Sequence, residues 1–579
     1  MSKSLTPEEI QRQQRFNRHQ SNLFSDACKD YERKDYNGAL LKCEKILSSL
    51  PENGEALSMK NLAKYFKREQ SGADTMKGIK NALKNNLRSP TIWHLYGIVA
   101  REQKDYVESL KAFKTMNNID GKSLALKRDL FCLQIQNRDF LGAVDTIDQM
   151  IVLRKDYQNN FICKAVASFM GGQNDKALNA LDYFLLHYSD NSDKVRYNDL
   201  LMFKIQILMK GKLYNAVLDF IKTNTDNLLE GIKAKEYVAT CLTELGKKQE
   251  ALDMLETLLK INKNNTTYHE LVLKNLNITN ALEMTPEQFD VFKKFNEKLC
   301  IGDTLYGTTE TLCYQQYDEV FEQDITKFIV KLLENSRINV FKILSPLFNK
   351  NTSRNHAEKR TFVENSFLRI AEALKNCTSY KTLSAKFIQQ HHIPIIQARI
   401  VFLLKGGKTE EALAYATAID ETEFNLKYYY LAKCHMKLGQ FPLALREIKT
   451  AFDLNPNDRF FYNKAIKYAL IAGDITKAEN LSKTKDNSEE DLKTESLIFT
   501  LRFAEAYLKS GNKDLARKRA LMILQKFDKG VTDMFEFHLY VYEKLSICAY
   551  LDLMDNNMKY QDSDIKKKAL EIVQQTQEI

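Results

Sequence analysis

Two sets of lysines are the residues best placed to do chemistry, and that chemistry is the recognition of negative charge. Lys77, Lys80 and Lys84 are spaced three and four apart, which puts them in one stripe on a helix, with Arg88 just beyond. They close a run that also holds Lys60, Lys64, Lys67 and Arg68, against only Glu69 and Asp74. Two readings stay open. The run is either a solvated face with cations near helix C-termini, where the dipole favours them, or a salt-sensitive contact to a phosphate backbone. The second set is Lys433 and Lys437, one turn apart on one helix, with Lys464 and Lys467 on a later one. Equivalent helices of neighbouring repeats stack side by side, so these four can converge, and convergent ammonium groups repel unless an anion joins them. They read either as dispersed surface charge or as the seat of a polyphosphate or an acidic partner.

Catalytic chemistry has no comparable candidates. No G-x-G-x-x-G, G-x-x-x-x-G-K-[ST] or H-E-x-x-H motif occurs, which removes the common phosphate-cradling loops and the helical zinc pair. Nor is there an R/Q-x-x-G-x-[GA] loop of the kind that holds a coenzyme A pyrophosphate. The adjacent histidines His391 and His392 read as a loop before Pro394 rather than as metal ligands. The ten cysteines form no C-x-x-C pair and read as buried reduced thiols. No catalytic residue and no metal ligand is assigned.

The elements that position the lysines come from a repeat. A Gly followed five residues later by Ala recurs at Gly172/Ala177, Gly211/Ala216, Gly246/Ala251, Gly407/Ala412, Gly439/Ala444, Gly473/Ala478 and Gly511/Ala516. A basic residue replaces the Gly at Lys34/Ala39, Arg68/Ala73, Lys104/Ser109 and Arg138/Ala143. The spacing clusters around the ~34-residue tetratricopeptide period. Gly can take the left-handed conformation that ends a first helix, and a small residue early in the second lets the two helices approach. Twelve residues before that position another small residue recurs, at Ala27, Gly97, Ala165, Ala239, Ala432 and Ala504. A helix pair cannot bury its apolar face alone, so neighbours must stack. The sequence predicts an all-α, tetratricopeptide-type right-handed helical solenoid with an irregular helical central segment. Its segments are an N-terminal array over 1–265, an irregular helical connector over 266–393 where the frame disappears, and a C-terminal array over 394–579.

Composition agrees. Hydrophobic residues make up 44% of 579, with only 8 Pro and 20 Gly, enough for a continuous core in mostly unbroken helix. Thr6-Pro7-Glu8-Glu9 reads as a helix start, with Thr6 as cap. No apolar run is long enough for a membrane span, so the expectation is a soluble chain in the cytoplasm, with no membrane partner. A net charge of +10 favours polyanionic partners.

Several stretches carry a specific resemblance. K-N-N-L-R-S-P-T-I-W-H-L-Y-G-I-V-A-R around Trp93 closely resembles the auxiliary subunit of the NatA amino-terminal acetyltransferase complex. So do Asn22–Leu40, Arg128–Asp139, D-R-F-F-Y-N-K-A-I-K-Y from Asp458 and D-M-F-E-F-H-L-Y-V-Y-E-K-L from Asp533, in collinear order. The resemblance implies a non-catalytic scaffold that wraps a GNAT-fold catalytic subunit. It also implies acetylation of nascent polypeptides at the ribosome, with acetyl-CoA on the partner only. It implies ribosome or RNA contact through residues such as Lys77, Lys80, Lys84 and Arg88, and leaves room for an additional regulatory subunit. For Lys433, Lys437 and Lys464, with Lys467 beside them, it implies inositol hexakisphosphate at the subunit interface. Met436 stands where the family often has a basic residue, and the family's Y-P-R-x-L-x-P-R-R stretch is not recognisable around Leu299–Glu319. The alternative is a repeat adaptor that binds acidic peptides or RNA in another assembly.

Overall fold

The computed structural model describes residues 7–84, 86–188, 193–229, 231–299, 305–335, 339–419, 424–483, 496–527, 534–544, 546–561 and 563–576, so Thr6 and Cys300 lie outside the described residues. Among these, helices are joined by short turns, and the one β-feature is an isolated bridge between Tyr380 and Leu383. The architecture is an all-α, tetratricopeptide-type solenoid. No described helix is long and apolar enough to cross a membrane.

Local chemistry explains the repeat. Lys34, Arg68, Lys104 and Arg138 take φ of 59–65°, and Gly172, Gly246, Gly407, Gly439, Gly473 and Gly511 take 73–83°. Each ends a first helix in the left-handed region. A side chain there costs ~1–2 kcal/mol, offset in part by a cation beside the helix C-terminus. Asp35, Asp105 and Asp139 follow and cap the second helix, accepting the amides of Gly38, Glu108 and Gly142 at 3.0–3.1 Å. Such a cap contributes ~1 kcal/mol. The small residue five positions on is fully buried at Ala39, Ser109, Ala143, Ala177, Ala251, Ala412, Ala444, Ala478 and Ala516. At Gly97 the helices are so close that a Cβ would lie 2.6 Å from the Phe113 ring, and Ser109 Oγ donates to the Gly97 carbonyl at 2.9 Å.

Two repeats depart from the sequence frame. Ala73 is exposed, because two extra residues follow Arg68 and the second helix, Gly72–Lys84, begins late. Thr75 takes the small buried position, and Ala63, twelve residues earlier, is its buried counterpart. Ala216 is also exposed. Lys212, at φ 57°, makes the turn instead of Gly211, and Val217 is buried in place of Ala216.

The chain packs into two compact units. The first is Met1–Leu213 with Asp226–Leu229 and Asp528–Tyr560. Its core joins Phe113, Leu130, Cys132, Ile147 and Cys163 of the repeats to Phe535, Tyr550, Leu551 and Met554 of the helices Phe535–Lys544 and Ile547–Gln561. Phe535 lies under the Arg101 guanidinium at 5.1 Å and stacks on Tyr106 at 6.0 Å. Aromatic residues from the C-terminal stretch therefore belong to the first unit. The second is Tyr214–Thr225, Glu230–Phe527 and Gln561–Ile579. Its central part is irregular, with helices from five residues (Val340–Leu344) to 21 (His356–Asn376), around a core of Phe321, Ile325, Leu332, Val363, Phe367 and Phe402.

Candidate functional site

The second unit brings Lys433, Lys437, Lys464 and Lys467 together. Lys433 and Lys437 lie on Phe424–Lys437, and Lys464 and Lys467 on Arg459–Ile471, both first helices of their repeats. Aromatic rings lie beside the ammonium groups of two of them. Lys433 Nζ is 5.7 Å from the ring centres of Tyr429 and Tyr430, and Lys464 Nζ is 5.2 Å from Phe460 and 6.0 Å from Tyr429. Tyr429 is thus flanked by an ammonium from each helix, a cation–π arrangement. Burial pushes the Lys433 ammonium below the ordinary lysine range, and the charges of Lys464, Lys405 and Lys437 add to the effect. Lys464 is lowered likewise, by burial first and then by Lys467 and Arg502.

Lys405 and Arg502 extend the site beyond the lysines read from the sequence, and the repeat register carries the signal for them. Relative to the position twelve before each buried Ala (Ile400, Ala432, Ile466, Ala504), Lys405 and Lys437 both stand five residues after. Lys433 and Lys467 both stand one after, and Lys464 and Arg502 two before. Consecutive first helices present the same face, so these registers superpose into one cationic patch. What it can do is hold a compact multivalent anion.

The first unit treats its basic run differently. Lys77, Lys80, Lys84 and Arg88 are all exposed, but Lys80 is engaged within the fold. Its Nζ sits 5.5 Å from the Tyr96 ring, whose hydroxyl donates to Glu108 at 3.1 Å, and the Tyr96 bond raises the lysine's pKa. Lys60 pairs with Glu44 at 3.0 Å and Lys67 with Glu69. Lys77, Lys84 and Arg88 are exposed, as are the left-handed turn residues Lys34, Arg68, Lys104 and Arg138.

His391 and His392 do not form a loop as expected. His392 opens the helix His392–Lys405, and the Nδ1 atoms of the two rings lie 2.9 Å from the carbonyl oxygens of Phe387 and Gln389. Among the described residues no group of three His, Cys, Asp or Glu side chains could hold a metal ion.

The family model described as "N-terminal acetyltransferase A, auxiliary subunit" matches residues 195–573, more than half of the chain. The chain belongs to the NatA auxiliary-subunit family. Among its relatives, the N-terminal acetyltransferase A complex auxiliary subunit NAA15 of Arabidopsis thaliana is 23% identical over 564 residues, covering 94% of this chain and 60% of the relative. The human N-alpha-acetyltransferase 16, NatA auxiliary subunit, is 27% identical over 554 residues, 92% of this chain and 62% of the relative. The chain therefore spans about three-fifths of the length of these two family members. A chain of the solved Naa15/Naa10 structure bound to HypK-THB superposes with a TM-score of 0.80 at 23% identity, covering 95% of this chain and 82% of that one. The NatA auxiliary family thus shares this solenoid at low sequence identity.

Proposed function

We propose that this chain is the non-catalytic auxiliary subunit of an N-terminal acetyltransferase. It wraps and positions a GNAT-fold catalytic subunit at the ribosome, in the cytoplasm, so that nascent chains are acetylated as they emerge. Acetyl-CoA and the transfer itself belong to the partner. The observation that carries the reading is the family match over residues 195–573, a stretch that contains the whole lysine site. The Naa15/Naa10 structure bound to HypK-THB supports a Naa10-like catalytic partner and a further regulatory subunit of the HypK kind.

In this reading inositol hexakisphosphate occupies the patch of Lys405, Lys433, Lys437, Lys464, Lys467 and Arg502. Ammonium groups held beside Tyr429, Tyr430 and Phe460 lose less freedom on binding than free lysines do. The anion also relieves the repulsion that lowers Lys433 and Lys464. Lys77, Lys84, Arg88 and the basic turns meet ribosomal RNA phosphates, with Lys80 held back by Tyr96.

Native purification tests the reading. A GNAT-fold subunit should co-purify, and inositol hexakisphosphate should raise the melting temperature of the complex, because a ligand stabilises the state that binds it. The Lys433→Glu, Lys437→Glu, Lys464→Glu variant should lose that shift. A wild-type complex whose melting never responds to the polyphosphate has no such site. A chain that purifies without any GNAT-fold partner is instead an adaptor for acidic peptides or RNA.

A further inference from the structure

The helices Pro286–Lys298, Leu305–Tyr314 and Glu319–Glu334 of the second unit line an open cavity of about 300 Å³, apart from the lysine patch. Its buried lining is mixed: Leu312 and Phe328 are apolar, Asn296 and Gln315 polar, and all four are more than nine-tenths buried. Lys293, Lys327 and Lys331 stand around it, with exposed Glu297 also lining it. Asp324 is the carboxylate among these lysines. Its oxygens are 3.6 Å from Lys293 Nζ and 3.9 Å from Lys327 Nζ, and it accepts from Gln315 Nε2 at 3.3 Å. Lys293 and Lys327 thus share one loosely held carboxylate.

Asn296 specifies what else is needed. Thr311 Oγ1 donates its single proton to the Gly307 carbonyl at 2.8 Å and accepts from Asn296 Nδ2 at 3.2 Å. That fixes which way the amide points. Asn296 Oδ1 is left buried with no donor among the described residues, and a buried acceptor without a partner is costly. A fitting ligand offers an N–H to this side of the cavity, a flat apolar body to Leu312 and Phe328, and an anionic group to the lysines.

We propose that this cavity binds a small organic phosphate of nucleoside-monophosphate size, its base amine toward Asn296 and its phosphate among Lys293, Lys327 and Lys331. A volume at the lower end of the ~300–1,000 Å³ range of ligand sites suits a mononucleotide. The proposal is independent of the catalytic partner, since all its residues belong to this chain.

Calorimetric titration of the full chain with AMP tests it, with adenosine and inorganic phosphate as the two halves of the ligand. AMP should give a saturable heat, and each half should bind at least ~10-fold more weakly. Lys327, whose side chain is 78% exposed, can be reversed with little risk to the fold. Lys327→Glu should weaken AMP by ~10-fold while the ligand-free melting temperature stays put, and Asn296→Leu should remove the preference for AMP over phosphate alone. A flat AMP titration at millimolar concentration overturns the proposal. So does AMP binding that neither variant changes.

Discussion

His269 has no exposed surface, yet it stands in an ion pair. Its Nδ1 lies 3.0 Å from a carboxylate oxygen of buried Glu310, and its Nε2 2.9 Å from the Lys263 carbonyl oxygen. Burial alone would lower the imidazole's pKa; the carboxylate and the carbonyl outweigh it and hold the value above 6.5. A histidine raised in the folded state stabilises fully below its unfolded pKa, and that stability is lost as pH rises through the folded value. From about pH 6.5 upward, the wild type should therefore lose stability that a His269→Gln variant does not lose. Melting curves between pH 5.5 and 8.5 (about the range where histidine titrates) check this, and parallel profiles would refute it. Lys359 is a second fully buried cation. Its ammonium donates to the carbonyls of Leu312, Cys313 and Gln315 at 2.7–2.9 Å and lies 4.9 Å from the Phe321 ring, while burial pushes its pKa down to about 8. These carbonyls lie at the end of the helix Leu305–Tyr314, where the Cys313 carbonyl also accepts from the Arg354 amide at 3.0 Å and from Ser353 Oγ at 3.2 Å. Lys359→Met keeps the stem but takes the ammonium donor from the Leu312 and Gln315 carbonyls, so chemical denaturation should reveal a loss of about 2–4 kcal/mol. A loss below about 1 kcal/mol would mean that water serves the carbonyls equally well.

Helices in the first unit are capped across long sequence distances. The carboxylate of Asp199, on Lys194–Lys210, accepts the amides of Ile547 at 2.8 Å and Cys548 at 3.2 Å, at the start of Ile547–Gln561. Gln136 Oε1 accepts the amide of Met534 at 3.2 Å, just before Phe535–Lys544. Asp199→Ala should cost about 1–2 kcal/mol and speed amide exchange in Ile547–Gln561 while protection around Ile147 and Cys163 persists. Equal loss of protection in both regions would mean that the C-terminal helices and the repeats open as one. Such contacts mark the limit of what the sequence discloses. The repeat was legible because its parts are local: a left-handed residue, a capping aspartate and a small residue fall within six positions, as in Lys104, Asp105 and Ser109. The two-residue insertion after Arg68 was not, since Ala73 happened to satisfy the frame that Thr75 really fills. The return of Phe535 and Tyr550 to the first unit has no periodic trace at all. In the lysine patch, charge density picked out Lys433, Lys437, Lys464 and Lys467, but Lys405 and Arg502 needed the register between repeats. The ring contacts that hold Lys433 and Lys464, and the Tyr96 contact that diverts Lys80, depend on side-chain packing that spacing alone does not specify.

For the molecule as a whole, basic residues occupy two settings with different physics. In the second unit they crowd together with partly buried stems, a disposition for a compact polyanion. In the first they are spread along successive turns, at Lys34, Arg68, Lys104, Arg138 and Lys212, all with φ of 57–65°. Glycine serves the same turn in six other repeats without strain, so each basic residue retains a backbone cost of ~1–2 kcal/mol that glycine would remove. The dipole of the preceding helix returns only ~0.3–1 kcal/mol. On stability alone glycine is at least as good, which makes these exposed turn cations candidates for the ribosome contact proposed above. The variant Lys34→Gly, Arg68→Gly, Lys104→Gly, Arg138→Gly separates that contact from a role at the helix ends. It should melt no lower than the wild type while its co-sedimentation with ribosomes weakens, and the slope of log affinity against log salt should flatten by about 0.7–0.9 for each phosphate no longer neutralised. If the variant melts lower and binds ribosomes with an unchanged salt slope, the turn cations serve the helix ends and the polyanion lies elsewhere.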